Sequence, residues 1–349
     1  MISLIGTRQV DGRVMAYASR ESATAIVVRD GLFSDNHNFP VHRDLDATRA
    51  SLYRPCRVRG KAMRDAVARL YRLALRGMPP SASEAVQHVR KHRRLPDFGH
   101  PVTFNEKVVA RKLSERSATF VECADKVAVK EHVARIVGDK YVIPTIWHGV
   151  ELPASLPASW PDRFVVKANH ASGWNAFVSG DGAERWAQLR SDTAMWMRQN
   201  WPHHLHERWY NRIPRQILAE EMIGEPGHPP PDYKFFMFDG EVAMIQLDLD
   251  RFSGHRRDLY DPSWRRMNAT LLYPGSGSDS PRPAHFDQML DVARALGRGL
   301  DFVRVDLYDT PTGPLFGEMT FAPESGLGRF TPPSLDHELG ARWRFSLPA

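Results

Sequence analysis

The residues with the most chemical potential fall into three groups. In FVVKAN an apolar run ends at Lys167, and the small-residue loop His170-Ala171-Ser172-Gly173-Trp174-Asn175 leads to a second apolar run. A lysine ending a strand beside such a loop can hold nucleotide phosphates, through its point charge and the loop's backbone N–H groups. The loop is neither a Walker A sequence nor G-x-G-x-x-G, so alone it says little. In the second group, RVDLY and FGEMT read as two β segments joined by Asp309-Thr310-Pro311-Thr312-Gly313. Alternation sends Arg304, Asp306 and Tyr308 to one face, and Glu318 lies beside Asp306 if the hairpin closes in register. Two carboxylates flanked by valine, leucine and phenylalanine are costly unless a cation neutralises them. Hard oxygen donors favour Mg²⁺ or Mn²⁺, completed by water and nucleotide phosphate. An ordinary Arg–Asp pair on a half-exposed hairpin accounts for the same residues. The third group is Asp232-Tyr233-Lys234-Phe235, a lysine within an aromatic strand, downstream of Glu220-Glu221. Such a lysine also snorkels for structural reasons alone.

Other constellations carry less. The run Trp201-Pro202-His203-His204-Leu205-His206-Glu207 lacks the spacing of HExxH and has no cysteine nearby, and it reads as a surface helix start after Pro202. Cys123 lacks a basic partner and reads as structural. Ser325-Gly326 has no His/Asp companions and reads as a substrate-side turn. Asp248, Asp250 and Arg251 follow the strand EVAMIQL, where Arg251 is a candidate contact for an acceptor carboxylate.

The elements that must position these groups are legible in outline. Residues 1–50 read as short strands and turns, with AIVV before the turn Asp30-Gly31. Residues 61–76 have helical spacing, with Met63, Ala66, Val67, Leu70 and Ala74 on one face and Lys61, Arg64, Arg69, Arg72 and Arg76 mostly on the other. After Met78-Pro79-Pro80, Ser81 and Glu84 read as a capping box opening a second helix that ends in Arg90-Lys91-His92-Arg93-Arg94. The pair reads either as a solvated hairpin whose apolar stripe docks on the main body or as a binder of membrane, acidic polymer or nucleic acid. From about residue 100, helices over 105–116 and from Asp125-Lys126 to Gly138 precede YVIPTIWHG, a Pro/Ser-rich linker, and strands in QILAEEMI, DFVRVDLY and PLFGEMTF. YKFFMF and EVAMIQL flank Asp239-Gly240 as the clearest hairpin, and YPGSGSDSPRPAH reads as a mobile loop. Antiparallel strands mixed with helices point to α+β lobes.

Together, Asp125-Lys126, FVVKAN, AEEMI, DYKFFMFDG, RVDLY and FGEMTF occur in the order and approximate spacing of an ATP-grasp enzyme. With TFNEK, DLYDPSW and FAPESGLGRF alongside them, the chain resembles the TupA-like ATP-grasp family, associated with cell-surface polysaccharide and teichuronopeptide synthesis. The likeness covers roughly residues 100–345. It implies an N-terminal extension over 1–95 and an ATP-grasp domain over 96–349, with a central lobe about 125–220 and a C-terminal lobe about 221–345 enclosing the nucleotide. It implies that Lys126 and Lys167 contact the α- and β-phosphates and that Glu220, Glu221, Met222 and Ile223 form the hinge strand that bonds adenine. Lys234 stands at the basic position near phosphate or ribose, Asp306 and Glu318 match the metal ligands, and Arg304 matches the arginine that steadies the transferring phosphoryl group. The loop around Ser172 and Gly173 closes over the site. Many ATP-grasp ligases carry an Asn metal ligand two residues after the Glu, whereas this chain has Thr320, whose hydroxyl ligates weakly or through water. ATP and Mg²⁺ (or Mn²⁺) are the implied cofactors, and the implied activity is ADP-forming ligation of a carboxylate to an amine on a saccharide or peptide precursor. Phosphoryl transfer to a saccharide hydroxyl, and a nucleotide-binding scaffold without turnover, would use the same nucleotide site.

Composition bounds the rest. The chain has 349 residues, 42% hydrophobic and 25% charged, which suits a globular protein. Its net charge of +6 is local: residues 54–94 carry twelve Lys/Arg against Asp65 and Glu84, while residues 95–349 are slightly acidic. A contact of this segment with a membrane surface or acidic polymer therefore ranks ahead of nucleic acid. Two cysteines make no disulfide framework. The N-terminus lacks a signal-peptide pattern and no run suffices to cross a bilayer, so the expected setting is cytoplasmic, with peripheral membrane contact through the basic segment.

Overall fold

The computed structural model describes residues 4–10, 13–18, 55–224, 230–249 and 254–346. The AIVV strand and Asp30-Gly31 turn lie outside them, as do Asp250 and Arg251. The chain divides into two compact units between Ala74 and Leu75. In the first, β1 (Leu4–Val10) and β2 (Arg13–Ala18) pair antiparallel, and α1 (Pro55–Arg76) runs on into the second unit. The second unit continues with α2 (Pro80–His92), α3 (Phe104–Ser114), α4 (Ala118–Ala124) and α5 (Ala128–Val137). Then come β3 (Thr145–Gly149), β4 (Arg163–Ala168), β5 (Asn175–Ser179), α6 (Gly182–Arg198) and β6 (Ile217–Glu221). The remainder is β7 (Asp232–Phe238), β8 (Glu241–Leu249), β9 (Arg256–Tyr260), β10 (Thr270–Leu271), α7 (Phe286–Gly297), β11 (Phe302–Thr310), β12 (Gly313–Thr320), β13 (Phe330–Thr331) and α8 (Ser334–Arg342). A four-stranded sheet ordered β3-β6-β4-β5 and a five-stranded sheet ordered β12-β11-β7-β8-β9 carry the fold, which is α+β.

Strand alternation explains how the larger sheet serves core and site together. On β7, Phe235 faces Phe286 of α7 across 6.4 Å and Met237 packs under Gly297. The opposite face begins polar, with Asp232 and Lys234, and ends aromatic, with Phe236 and Phe238. Phe104 of α3 caps that aromatic end, its ring 5.8 Å from Phe236, 4.9 Å from Phe302 and 5.7 Å from Trp343. One half of that face is thus apolar core, and the other half carries buried charged groups. The β7–β8 hairpin turns at Asp239 and Gly240, both with positive φ (50° and 83°), as the right-handed strand twist favours.

Two local expectations differ. α2 begins at Pro80 with no side-chain cap, because proline pre-sets the first turn and the Glu84 carboxylate is drawn 2.6 Å from buried Lys112 of α3. The capping box lies instead at Thr103/Glu106, where the Glu106 carboxylate accepts from the Thr103 N–H at 3.0 Å. The loop over 273–285 is tied down: Ser276 N–H donates to Asp258 at 3.0 Å and Ser280 N–H to the Tyr260 hydroxyl at 2.8 Å.

Candidate active site

In β11 and β12, Asp306 lies directly opposite Glu318, and a register shift follows between Asp306 and Leu307. On its other side Asp306 pairs with Lys234 of β7, so Glu318, Asp306 and Lys234 form one row across three strands. Arg304, two residues along the same face, donates from Nε to Asp306 Oδ1 at 2.7 Å and from Nη2 to Oδ2 at 2.8 Å. Its Nη2 also reaches the Thr320 hydroxyl at 3.0 Å. Lys234 Nζ donates to Asp306 at 2.7 Å and to Asp232 at 2.5 Å. Burial opposes the charge of Glu318, but Lys126, Arg304, Lys234 and Lys167 together hold its carboxyl below the usual range. Burial likewise opposes the charge of Arg304, and Asp306, with Glu318 and Glu324, more than offsets it.

The smaller sheet faces this row with its own cations. Lys126, just before α5, donates to the Ala171 carbonyl at 2.8 Å and stands 3.6 Å from Glu318. It therefore joins the loop after β4 to β12. Asn169 braces that loop by donating to Asp125 at 2.8 Å. Lys167 pairs with Glu220, whose other oxygen takes Lys130 at 2.9 Å. Burial raises the Glu220 carboxyl, but the two lysines outweigh it and hold the group below its ordinary range. Lys130 also donates to the Ile143 carbonyl at 2.7 Å.

Past Lys234 the row reaches Gln246 of β8, and a second row, through Asp232, runs beside it. Asp248 of β8 sits opposite Asp232, and Arg257 of β9 sits opposite Asp248. Arg257 donates from Nε to Asp248 at 2.6 Å and from Nη1 to Glu324 at 2.8 Å. Glu324 and Ser325 have positive φ (49° and 55°), an arrangement held by Arg257 on one and by Lys112, which donates to the Ser325 carbonyl at 2.8 Å, on the other.

The structure therefore gathers Lys126, Lys167, Glu220, Lys234, Arg304, Asp306, Glu318 and Thr320 around one region. Ser172 and Gly173 are exposed beyond Ala171, with Gly173 at φ 76°. Glu220, flanked by β3 and β4, offers its carboxylate to lysines, while Glu221 ends β6 and Met222 and Ile223 run beyond it. Arg251 lies outside the described residues. Lys130, Asp232, Arg257 and Glu324 are additional members. Lys130, in the first turn of α5, reaches Glu220, whereas Lys126, in the turn before that helix, stands near Glu318. The run from Trp201 to Glu207 is a short 3-10 turn rather than a surface helix, with Trp201 donating to the buried Glu207 at 3.1 Å. Cys123 is buried, and that burial, with Glu122, pushes its thiol up to about 12.

A model of the TupA-like ATP-grasp family matches residues 106–344. No curated protein matches the chain in sequence at a significant level. Among solved structures it is similar to the D-alanine–D-alanine ligase from Bacillus anthracis complexed with ATP, at 16% identity and a TM-score of 0.38 over 64% of this chain and 65% of that one. The ATP-grasp ligase PsnB complexed with a phosphomimetic variant of its minimal precursor, Mg and ADP is 11% identical with a TM-score of 0.33, over 65% of this chain and 60% of that one. N5-carboxyaminoimidazole ribonucleotide synthetase from Thermus thermophilus is 12% identical with a TM-score of 0.32, over 67% of this chain and 50% of that one. The chain spans less than two thirds of the first of these proteins. Since the family model runs through every strand of the two sheets that hold the site, the chain belongs to the TupA-like ATP-grasp family.

Proposed function

We propose that this protein is an ATP- and Mg²⁺-dependent, ADP-forming ligase that joins a carboxylate to an amine on a cell-surface polysaccharide or peptide precursor. The row Glu318–Asp306–Lys234, with Arg304 clasping Asp306 and Lys126 and Lys167 opposite, is the observation that carries this reading. Lys126, Lys130, Lys167, Lys234 and Arg304 are each held beside a carboxylate (Glu318, Glu220, Asp232 or Asp306), so cations that phosphate oxygens could share are already in place.

The donor set fits Mg²⁺. Asp306 and Glu318 are cross-strand neighbours, and among the described residues no cluster of three or more His, Cys, Asp or Glu suits a metal. Asp306 and Glu318 would hold Mg²⁺, which prefers few carboxylates, and the metal would supply neutralisation of charge on the transferring phosphoryl group. The Thr320 hydroxyl is engaged by Arg304, which leaves it a lesser role.

In this reading Lys126 and Lys167 bind the nucleotide phosphates, and Glu221, Met222 and Ile223 supply backbone groups to adenine at the strand end. Arg304 and Lys234 hold charge that develops as a substrate carboxylate oxygen bonds to the γ-phosphorus and the bond to the ADP oxygen breaks. The amine then attacks the acyl carbon, inorganic phosphate leaves, and the amine loses a proton. The loop at Ser172-Gly173 excludes water from the acylphosphate.

A hydroxylamine trap tests this. With Mg-ATP and panels of amino acids or uronic acids, a ligase yields the corresponding hydroxamate together with ADP. ADP release into a stable phosphorylated hydroxyl compound, with no hydroxamate, would replace ligation by phosphoryl transfer. ATP binding with no ADP release from any panel, with or without added amines, would leave a scaffold.

A further inference from the structure

α1 is an amphipathic helix of 22 residues, and from Met63 to Ala74 the described side chains of its apolar side are exposed. Met63 is 68% exposed, Val67 46%, Leu70 66% and Leu73 60%, with Ala66 and Ala74 exposed among them. At a spacing of three and four residues these side chains share one stripe along the helix. Arg69, Arg72 and Arg76 are also exposed: Arg72 stands opposite the stripe, while Arg69 and Arg76, four residues before and three after Leu73, flank its edge.

We propose that α1 binds the surface of an anionic lipid bilayer, lying in the interface plane. A soluble acidic polymer or a nucleic acid would use the arginines and leave four large apolar side chains in water. A bilayer surface uses both: the apolar stripe sinks about 5–10 Å into the headgroup boundary, and the basic side stays level with anionic headgroups. The surplus of positive charge is confined to residues 54–94, so the attraction acts on this segment and not on the catalytic body. The helix lies on the membrane and does not cross it, since among the described residues no helix is long and apolar enough to span. The role is independent of the ligase reading and delivers the protein to the surface where membrane-held precursors would be met.

Flotation of the full chain with vesicles of phosphatidylcholine, with or without phosphatidylglycerol, tests it. Binding is expected on the phosphatidylglycerol vesicles. Leu70→Asp with Leu73→Asp, and separately Arg69→Glu with Arg72→Glu and Arg76→Glu, should each weaken it by about tenfold or more. Unchanged circular dichroism and Mg-ATP affinity in both variants separate lost binding from lost folding. Three results would overturn the proposal: no binding to anionic vesicles at low salt, equal binding by the Leu70/Leu73 variant, or a concentration-dependent dimer that Leu70→Asp dissolves while wild type ignores vesicles.

Discussion

Asp306 accepts three hydrogen bonds from Arg304 and Lys234 while facing Glu318, so its charge is shared before any ligand arrives. The same economy holds in the smaller sheet, where Glu220 keeps Lys167 and Lys130 together. Removing one lysine leaves the carboxylate paired and the fold kept, but under the proposed function it takes a phosphate partner away. Lys167→Ala should therefore lower the affinity for Mg-ATP by about 10–100-fold, as loss of a charge-assisted hydrogen bond does. Calorimetric titration checks this, and unchanged affinity would remove Lys167 from the nucleotide site. A second residue-scale prediction concerns pH. Burial pushes the Glu207 carboxyl up to about 7, against Lys112 and hydrogen bonds from Ser325 and Trp201. Its folded value lies above its unfolded value near 4.5, so the neutral form's contribution is complete below that value and is lost as pH rises through 7. Glu207→Gln should abolish a fall in stability of about 3 kcal/mol at most between pH 4.5 and 7.5, read as the difference in denaturant midpoints between the two pH values. Lys130 escaped the sequence reading because a lysine in the first turn of a helix ordinarily belongs to a solvated face.

At the scale of elements, the β11–β12 and β7–β8 hairpins were legible because alternation and turn residues are local properties. The register was left open by the sequence: the turn alone would set Asp306 opposite Gly317, and the register shift between Asp306 and Leu307 brings it opposite Glu318. The start of α2 was not legible, because Glu84 is claimed by Lys112 from another helix. Close packing between elements is equally invisible to local pattern. A Cβ on Gly340 of α8 would overlap the Val102 carbonyl oxygen and stand 2.8 Å from the Phe104 nitrogen, both backbone atoms that cannot swing away. Gly340→Ala should destabilise by about 1–3 kcal/mol, the usual scale of overpacking, and lower the thermal midpoint. An unchanged midpoint would mean that α8 slides freely over the start of α3.

For the whole molecule, Phe104 is where the elements meet: its ring packs on β7, β11, β13 and the segment after α8. Phe104→Ala should cost about 3–5 kcal/mol in chemical denaturation. Because the same sheet face carries Lys234 and Asp306 beyond Phe236 and Phe302, the variant should also weaken Mg-ATP binding at temperatures below its unfolding transition. A loss of stability with full nucleotide affinity up to the transition would show that core and site are decoupled.

Composition, strand alternation and the ordered motifs determined by themselves that the chain is α+β, that its charge surplus is confined to residues 54–94, and which lysines and carboxylates could serve a nucleotide. Those are properties of neighbours in the chain, where side-chain direction follows from backbone period. Only the tertiary structure decided that Glu220 holds Lys167 and Lys130, that Lys126 joins the loop after β4 to Glu318, that Arg257 links Asp248 to Glu324, and that the stripe on α1 is exposed. Each of these pairs or exposes groups through packing, which no local period encodes.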